Sequence, residues 1–77
     1  MKKAERVFGL HAVTSLLQRN PTRVVRLLVL ESRADARINT ILSLADTANV
    51  PVRRAGRHEL DELVKGASHQ GVVAETG

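Results

Sequence analysis

Apolar positions recur at helical spacing from early in the chain. Phe8, Ala12 and Leu16 fall on one line and Leu10, Val13 and Leu17 on the next, leaving His11, Ser15 and Gln18 opposite. That spacing predicts a helix over 9–19. Asn20-Pro21 ends it, because proline disfavours helix at the residue before it. The next run, "RVVRLLVLE" over 23–31, is β-branched and interrupted by one charge, Arg26. It is too apolar for a strand with one wet face and predicts a central strand covered on both. Ser32-Arg33-Ala34-Asp35 is a polar joint in which Ser32 or Asp35 can cap a helix. Ile38, Ile41, Leu42, Ala45 and Ala48 then predict a helix over 36–48, closed by Asn49.

"VPVRRAG" over 50–56 is a weaker strand, and Pro51 confines it to an edge or to a strand start. Leu60, Leu63 and Val64 mark a short helix ending at Gly66, a position suited to a left-handed cap. "GVVAE" over 71–75 is the third strand. The order α-β-α-β-α-β predicts an α/β fold, a sheet with helices on its faces joined by right-handed crossovers. No repeat, low-complexity tract or linker divides residues 1–77, so they read as a single domain. The last strand runs into Thr76-Gly77 with no closing helix, as in a domain cut from a longer polypeptide.

Size makes stability marginal, since a chain of 77 residues buries only about 60% of the surface it exposes when unfolded. With no cysteine there is no disulfide and no thiolate metal site, which fits a reducing, cytoplasmic setting. No apolar run is long enough to span a membrane. The basic start, Met1-Lys2-Lys3-Ala4-Glu5-Arg6, leads into no apolar signal region. No membrane partner is expected.

Charge adds a direction. Twelve Lys and Arg stand against eight Asp and Glu, a net +4. Nine of the twelve cations are arginine, whose planar fork suits phosphate. That balance points to a nucleic-acid partner, with simple solubility as the plain alternative. Phe8 is the only aromatic residue, so the stacking platform of most single-strand binders is missing. An RNA contact would have to use phosphates, shape and arginine planes.

Signs of catalysis are few. No glycine-rich phosphate loop follows the strand at 23–31, where the chain reads Glu31-Ser32-Arg33. His11, His58 and His69 lack the spacing of a helical metal pair. Ser68 precedes His69, but neighbours in a loop rarely face each other, and a triad also needs an orienting carboxylate and an oxyanion hole. The reading is a non-enzymatic chain with no metal or cofactor of its own.

The candidate contact residues each carry two readings. Arg33 and Arg37 flank the start of the second helix, where backbone N–H groups and the dipole favour anions. Arg53, Arg54 and Arg57 form the densest basic cluster, but alternation sends Arg53 and Arg54 to opposite faces. Cations there also protect an edge strand from pairing with another chain. His11 is solvated or touches RNA. His69 and Gln70 form either a structural loop whose side chains bond loop carbonyls, with Gly71 turning the backbone, or a recognition loop.

Three stretches, "VFGLHAV" (7–13), "LLVLESRADARI" (27–38) and "HQGVVAE" (69–75), occur in an order and at separations that carry a likeness. Together they resemble the N-terminal substrate-binding domain of SpoU-family ribosomal RNA ribose methyltransferases, within the SPOUT superfamily. The likeness is strongest to those that methylate a guanosine 2′-hydroxyl in 23S rRNA. It implies a three-layer α/β/α domain of the ribosomal protein L30e and L7Ae kind, with a mixed sheet. It also implies a knotted catalytic domain elsewhere in the polypeptide, which would bind S-adenosylmethionine and form a homodimer. This fragment alone would be a monomer that contacts 23S rRNA and its own catalytic domain. Kink-turn binders of this fold carry a glycine-asparagine-glutamate type turn after their first strand. Here Glu31-Ser32-Arg33-Ala34-Asp35 replaces it, so contact from this turn would be arginine on phosphate. The alternatives are a docking or spacer domain with little RNA contact, and a free-standing L7Ae-like RNA binder.

Overall fold

Leu27, Leu28 and Val29 are all fully buried, which makes their strand the spine of the molecule. A computed structural model describes residues 5–77; the basic start at Met1-Lys2-Lys3-Ala4 lies outside them. The spine, β2 (Val24–Leu30), runs parallel to β3 (Val52–Ala55) on one side and antiparallel to β4 (Val72–Thr76) on the other. A further strand, β1 (Glu5–Phe8), pairs antiparallel with β4, giving a mixed sheet of order β1-β4-β2-β3.

Alternation along β2 divides the core in two. Leu27 and Val29 join the buried residues of α1 (Leu10–Arg19) and α2 (Ala36–Thr47): Leu10, Val13, Leu17, Ile38, Ile41 and Ala45. Leu28 faces the other way and packs with Val73, Ala55 and the Leu60 and Val64 side chains at α3 (Arg57–Leu63). The result is three layers, α1 and α2 over one face and α3 over the other, as expected from the sequence. Pro51 immediately precedes β3, an edge strand, where its missing N–H interrupts no ladder.

The first strand is the departure from expectation. Phe8 does not open a helical stripe; it ends β1 opposite Val73 and packs on the α3 side. Gly9, at φ 96°, turns the chain between that strand and α1, and Ala12 is left exposed. The helical line Phe8-Ala12-Leu16 is a coincidence of spacing. The order is therefore β-α-β-α-β-α-β.

The ends of the other elements follow the local chemistry. Asp35 caps α2, its Oδ1 accepting from the Ile38 amide at 3.2 Å. Asn49 sits at φ 58° after the helix. Gly66, at φ 81°, donates its N–H to the Asp61 carbonyl at 2.9 Å and turns the chain away from α3.

Topology then gathers the loops. Both β1 and β2 run antiparallel to β4, and β3 runs parallel to β2, so β1, β2 and β3 share a direction. Their carboxyl ends, the start of β4 and the first turns of all three helices lie along one edge of the sheet. That loop edge is where the candidate residues meet.

Candidate nucleic-acid interface

The stretch 69–72 is a tight turn at the entrance to β4. The Val72 amide donates to the His69 carbonyl at 3.1 Å. Gln70 at φ 55° and Gly71 at φ 85° occupy the left-handed region, as both central residues of a type I′ turn must. This geometry points His69 inward, where it is 7% exposed. Its Nδ1 accepts from the Gly71 amide at 2.9 Å, and its Nε2 lies 2.6 Å from Asp61 Oδ1. A bare Nδ1 places the proton of the neutral ring on Nε2, which donates to Asp61. With both nitrogens engaged, His69 is not a base for Ser68.

Gln70 reaches across the edge instead. Its Oε1 accepts from the Leu10 amide at 2.8 Å. Gly9 has no side chain to cap α1, so Gln70 supplies the acceptor that the first turn requires. A structural loop predicts these two side chains on loop carbonyls, and neither is found there. Both accept from backbone N–H groups instead, His69 from Gly71 within the turn and Gln70 from Leu10 at the start of α1.

Arg33 braces this turn, and Arg54 braces the neighbouring one after β2. Arg33 donates from Nη1 to the Gln70 carbonyl and from Nη2 to Asp35 Oδ2 at 3.0 Å. Arg54 donates from Nη1 to the Leu30 carbonyl at 3.1 Å and the Arg33 carbonyl at 3.0 Å. The hydrogen bond from Arg33, with that from the Ile38 amide, holds the Asp35 carboxyl below its ordinary pKa. Arg53 pairs with Glu59 in the first turn of α3. Arg37 and Arg57 are exposed and have no ion-pair or side-chain hydrogen-bond partner among the described residues.

These placements create two neighbouring depressions. A cleft of about 550 Å³ opens between the end of β2, the start of α3 and the 66–71 loop, with Arg33, Arg57, Asp61, Ser68, His69 and Gln70 on its walls. A smaller groove of about 230 Å³ lies between the first turns of α1 and α2, lined by Leu10, His11, Thr14, Arg37 and Thr40. Gln70 stands between them, its backbone carbonyl on Arg33 and its side chain on Leu10. The loop edge thus brings together Arg33, Arg57, His69 and Gln70 in the cleft and His11 and Arg37 in the groove. Arg54, bonded to the Leu30 and Arg33 carbonyls, and Arg53, paired with Glu59, line neither depression.

The family model described as RNA 2′-O ribose methyltransferase substrate binding matches residues 6–77. The chain belongs to that family. It is 47% identical over 75 residues to the 23S rRNA (guanosine-2′-O-)-methyltransferase of Pseudomonas putida, an alignment covering 97% of this chain and 30% of that protein. Against the enzyme of the same name from Acinetobacter baylyi it is 43% identical over 74 residues, 96% of this chain and 30% of the relative. The Yersinia pestis enzyme is 37% identical over 71 residues, covering 92% and 29%. The chain spans about 30% of the length of these relatives.

The family assignment concerns substrate binding, and the loop edge is where this domain concentrates polar groups from all its layers. Asp61 and the backbone of Leu10 belong to that edge and were not singled out from sequence. Asp61 stands eight positions before His69 and Leu10 sixty before Gln70, and no local pattern links either pair. The one local signal is Gly9, which has no side chain to cap a helix and leaves the first amides of α1 in need of an outside acceptor.

Proposed function

We propose that this domain holds ribosomal RNA, specifically 23S rRNA, for a polypeptide that methylates a guanosine 2′-hydroxyl. The loop edge is its contact surface, and it takes the RNA backbone through Arg37 and Arg57. One observation carries the reading. These two unpartnered guanidiniums stand on opposite sides of the Gln70–Leu10 bond, on an edge where the amide-rich first turns of α1 and α2 also lie. Cations and oriented amides on one edge favour phosphate. His11, beside Arg37, adds a ring N–H. Arg33 and Arg54 shape the surface.

The methyl transfer belongs to the remainder of the polypeptide, together with S-adenosylmethionine binding and pairing of two copies. S-adenosylmethionine does not fit the loop edge. Its sulfonium cation would face Arg33 and Arg57, and the one carboxylate on the cleft walls, Asp61, is bonded to His69. Binding of a 23S rRNA stem-loop fragment, titrated from about 50 to 200 mM salt, tests the reading. A surface engaging about three to five phosphates gives a log–log slope of roughly −2 to −4. Affinity that ignores salt would favour a spacer domain that docks on the catalytic part and touches RNA little.

A further inference from the structure

We infer that Arg33 is a stacking plate for an unpaired nucleotide, seated in the cleft beside it. The inference rests on the loop edge being the RNA surface and names what that surface takes: a looped-out nucleotide, not a continuous duplex.

Three features of Arg33 lead there. First, its guanidinium is held at two points, Nη1 on the Gln70 carbonyl and Nη2 on Asp35 Oδ2. A guanidinium held at both nitrogens is a pre-organised plane that loses little further freedom on binding. Second, its stem rests on Gly71. A Cβ built at Gly71 would lie 3.1 Å from Arg33 Cδ and 3.6 Å from Nη1, so glycine there lets the side chain lie down on the backbone. Third, Asp35 already offsets its charge. A phosphate would have to compete with that carboxylate, whereas stacking on the face of the plane leaves both hydrogen bonds intact.

No Phe, Tyr or Trp offers another plate. Phe8 is the only aromatic residue, and it packs against the core under α3. Bases in RNA loops stack on arginine planes as well as on aromatic rings. The cleft that Arg33 borders, at about 550 Å³, is within the range of pockets that enclose a small molecule. Arg57, which also lines the cleft, is available to the phosphate of the same nucleotide, and the Ser68 hydroxyl and the second oxygen of Asp61 to the base edge. An A-form duplex presents no free base face to such a cleft.

The test compares a 23S rRNA stem-loop with a fully paired duplex of equal length on the wild-type domain. It then repeats the stem-loop with single abasic nucleotides at each loop position, and with Arg33→Lys protein. Arg33→Lys keeps the cation and removes the plane. The expected result is about tenfold tighter binding of the stem-loop, the size of one stacked base. That preference disappears with an abasic nucleotide at one position, and Arg33→Lys loses it while keeping the wild-type salt slope. If every abasic RNA binds as well as the intact loop, no base is stacked and the inference is wrong, whether or not Arg33→Lys folds. If folded Arg33→Lys keeps the preference, Arg33 is not the plate. Absence of RNA binding by the wild type under any salt condition would instead remove the proposed function itself.

Discussion

Gln70 closes α1 from sixty residues away: its Oε1 accepts the Leu10 amide hydrogen at 2.8 Å. The bond joins the entrance of the last strand to the start of the first helix, and it does so from a residue at φ 55°. A non-glycine residue in that region costs of order 1–3 kcal/mol and persists where its surroundings hold it. Gln70→Ala therefore loses a cap, expected to cost about 0.5–2 kcal/mol. Hydrogen exchange at the Leu10 amide should accelerate more than exchange at the buried Leu28 amide. Equal acceleration at both sites would show that the substitution acts on the whole fold and not on the helix end.

Gly71→Val should be the most damaging single change in the turn. Gly71 has φ 85°, and an added Cβ would lie 3.1 Å from Arg33 Cδ and 3.4 Å from Leu30 Cβ. A β-branched residue is strained at that φ whatever the space, and here there is little. The cost is put at ~1–3 kcal/mol or more, on a domain with a small reserve. Chemical denaturation checks it, and a midpoint within error of the wild type would contradict the assigned conformation.

His69→Ala separates structure from recognition. The substitution leaves the Gly71 amide without its buried acceptor, a loss of ~1–3 kcal/mol. The melting temperature should fall, and RNA affinity per folded molecule should hold. Unchanged melting with weakened RNA binding would make His69 a contact residue.

Much of this fold is legible in the sequence because the deciding signals are local. The apolar run of β2, the spacing of Ile38, Ile41 and Ala45, Asp35 as a cap, Gly66 as a stop and Pro51 at an edge each act within a few residues. β1 escapes because it is only four residues long, Glu5–Phe8, and its partner β4 lies at the far end of the chain. Its last residue also happens to fit the helical spacing that follows. The candidate site was half visible for the same reason. Composition marks the arginines, but it does not distinguish Arg54, spent on the Leu30 and Arg33 carbonyls, from Arg57, which has no such partner. That distinction comes from bonds between segments far apart in sequence.

Acid should loosen the turn through Asp35. Its pKa is lowered in the folded state, first by the Arg33 hydrogen bond and then by the Ile38 amide. A lowered folded value means the stabilisation is fully present above the ordinary carboxylate pKa and is lost as pH falls through the folded one. Asp35→Asn keeps an acceptor for the helix cap but removes the ion pair. Its melting temperature should lie below that of the wild type at neutral pH, with the gap narrowing below about pH 4. A gap independent of pH would show that the Arg33–Asp35 pair contributes nothing to folding.

The most direct test of the loop edge compares two double variants of equal charge. Arg37→Ala with Arg57→Ala removes the two unpartnered guanidiniums of that edge, and Arg19→Ala with Arg23→Ala removes two exposed cations from the opposite end of the sheet. Each lowers the net charge by the same amount, so a general electrostatic attraction would weaken equally in both. The measurement is the salt dependence of binding to a 23S rRNA stem-loop. The loop-edge variant should lose about 1.4–1.8 from the magnitude of the log–log slope, two phosphate contacts at ~0.7–0.9 each. The variant at the other end should keep the wild-type slope. Equal slopes for the two variants, or a larger loss from Arg19 and Arg23, would contradict the assignment of the RNA surface to this edge.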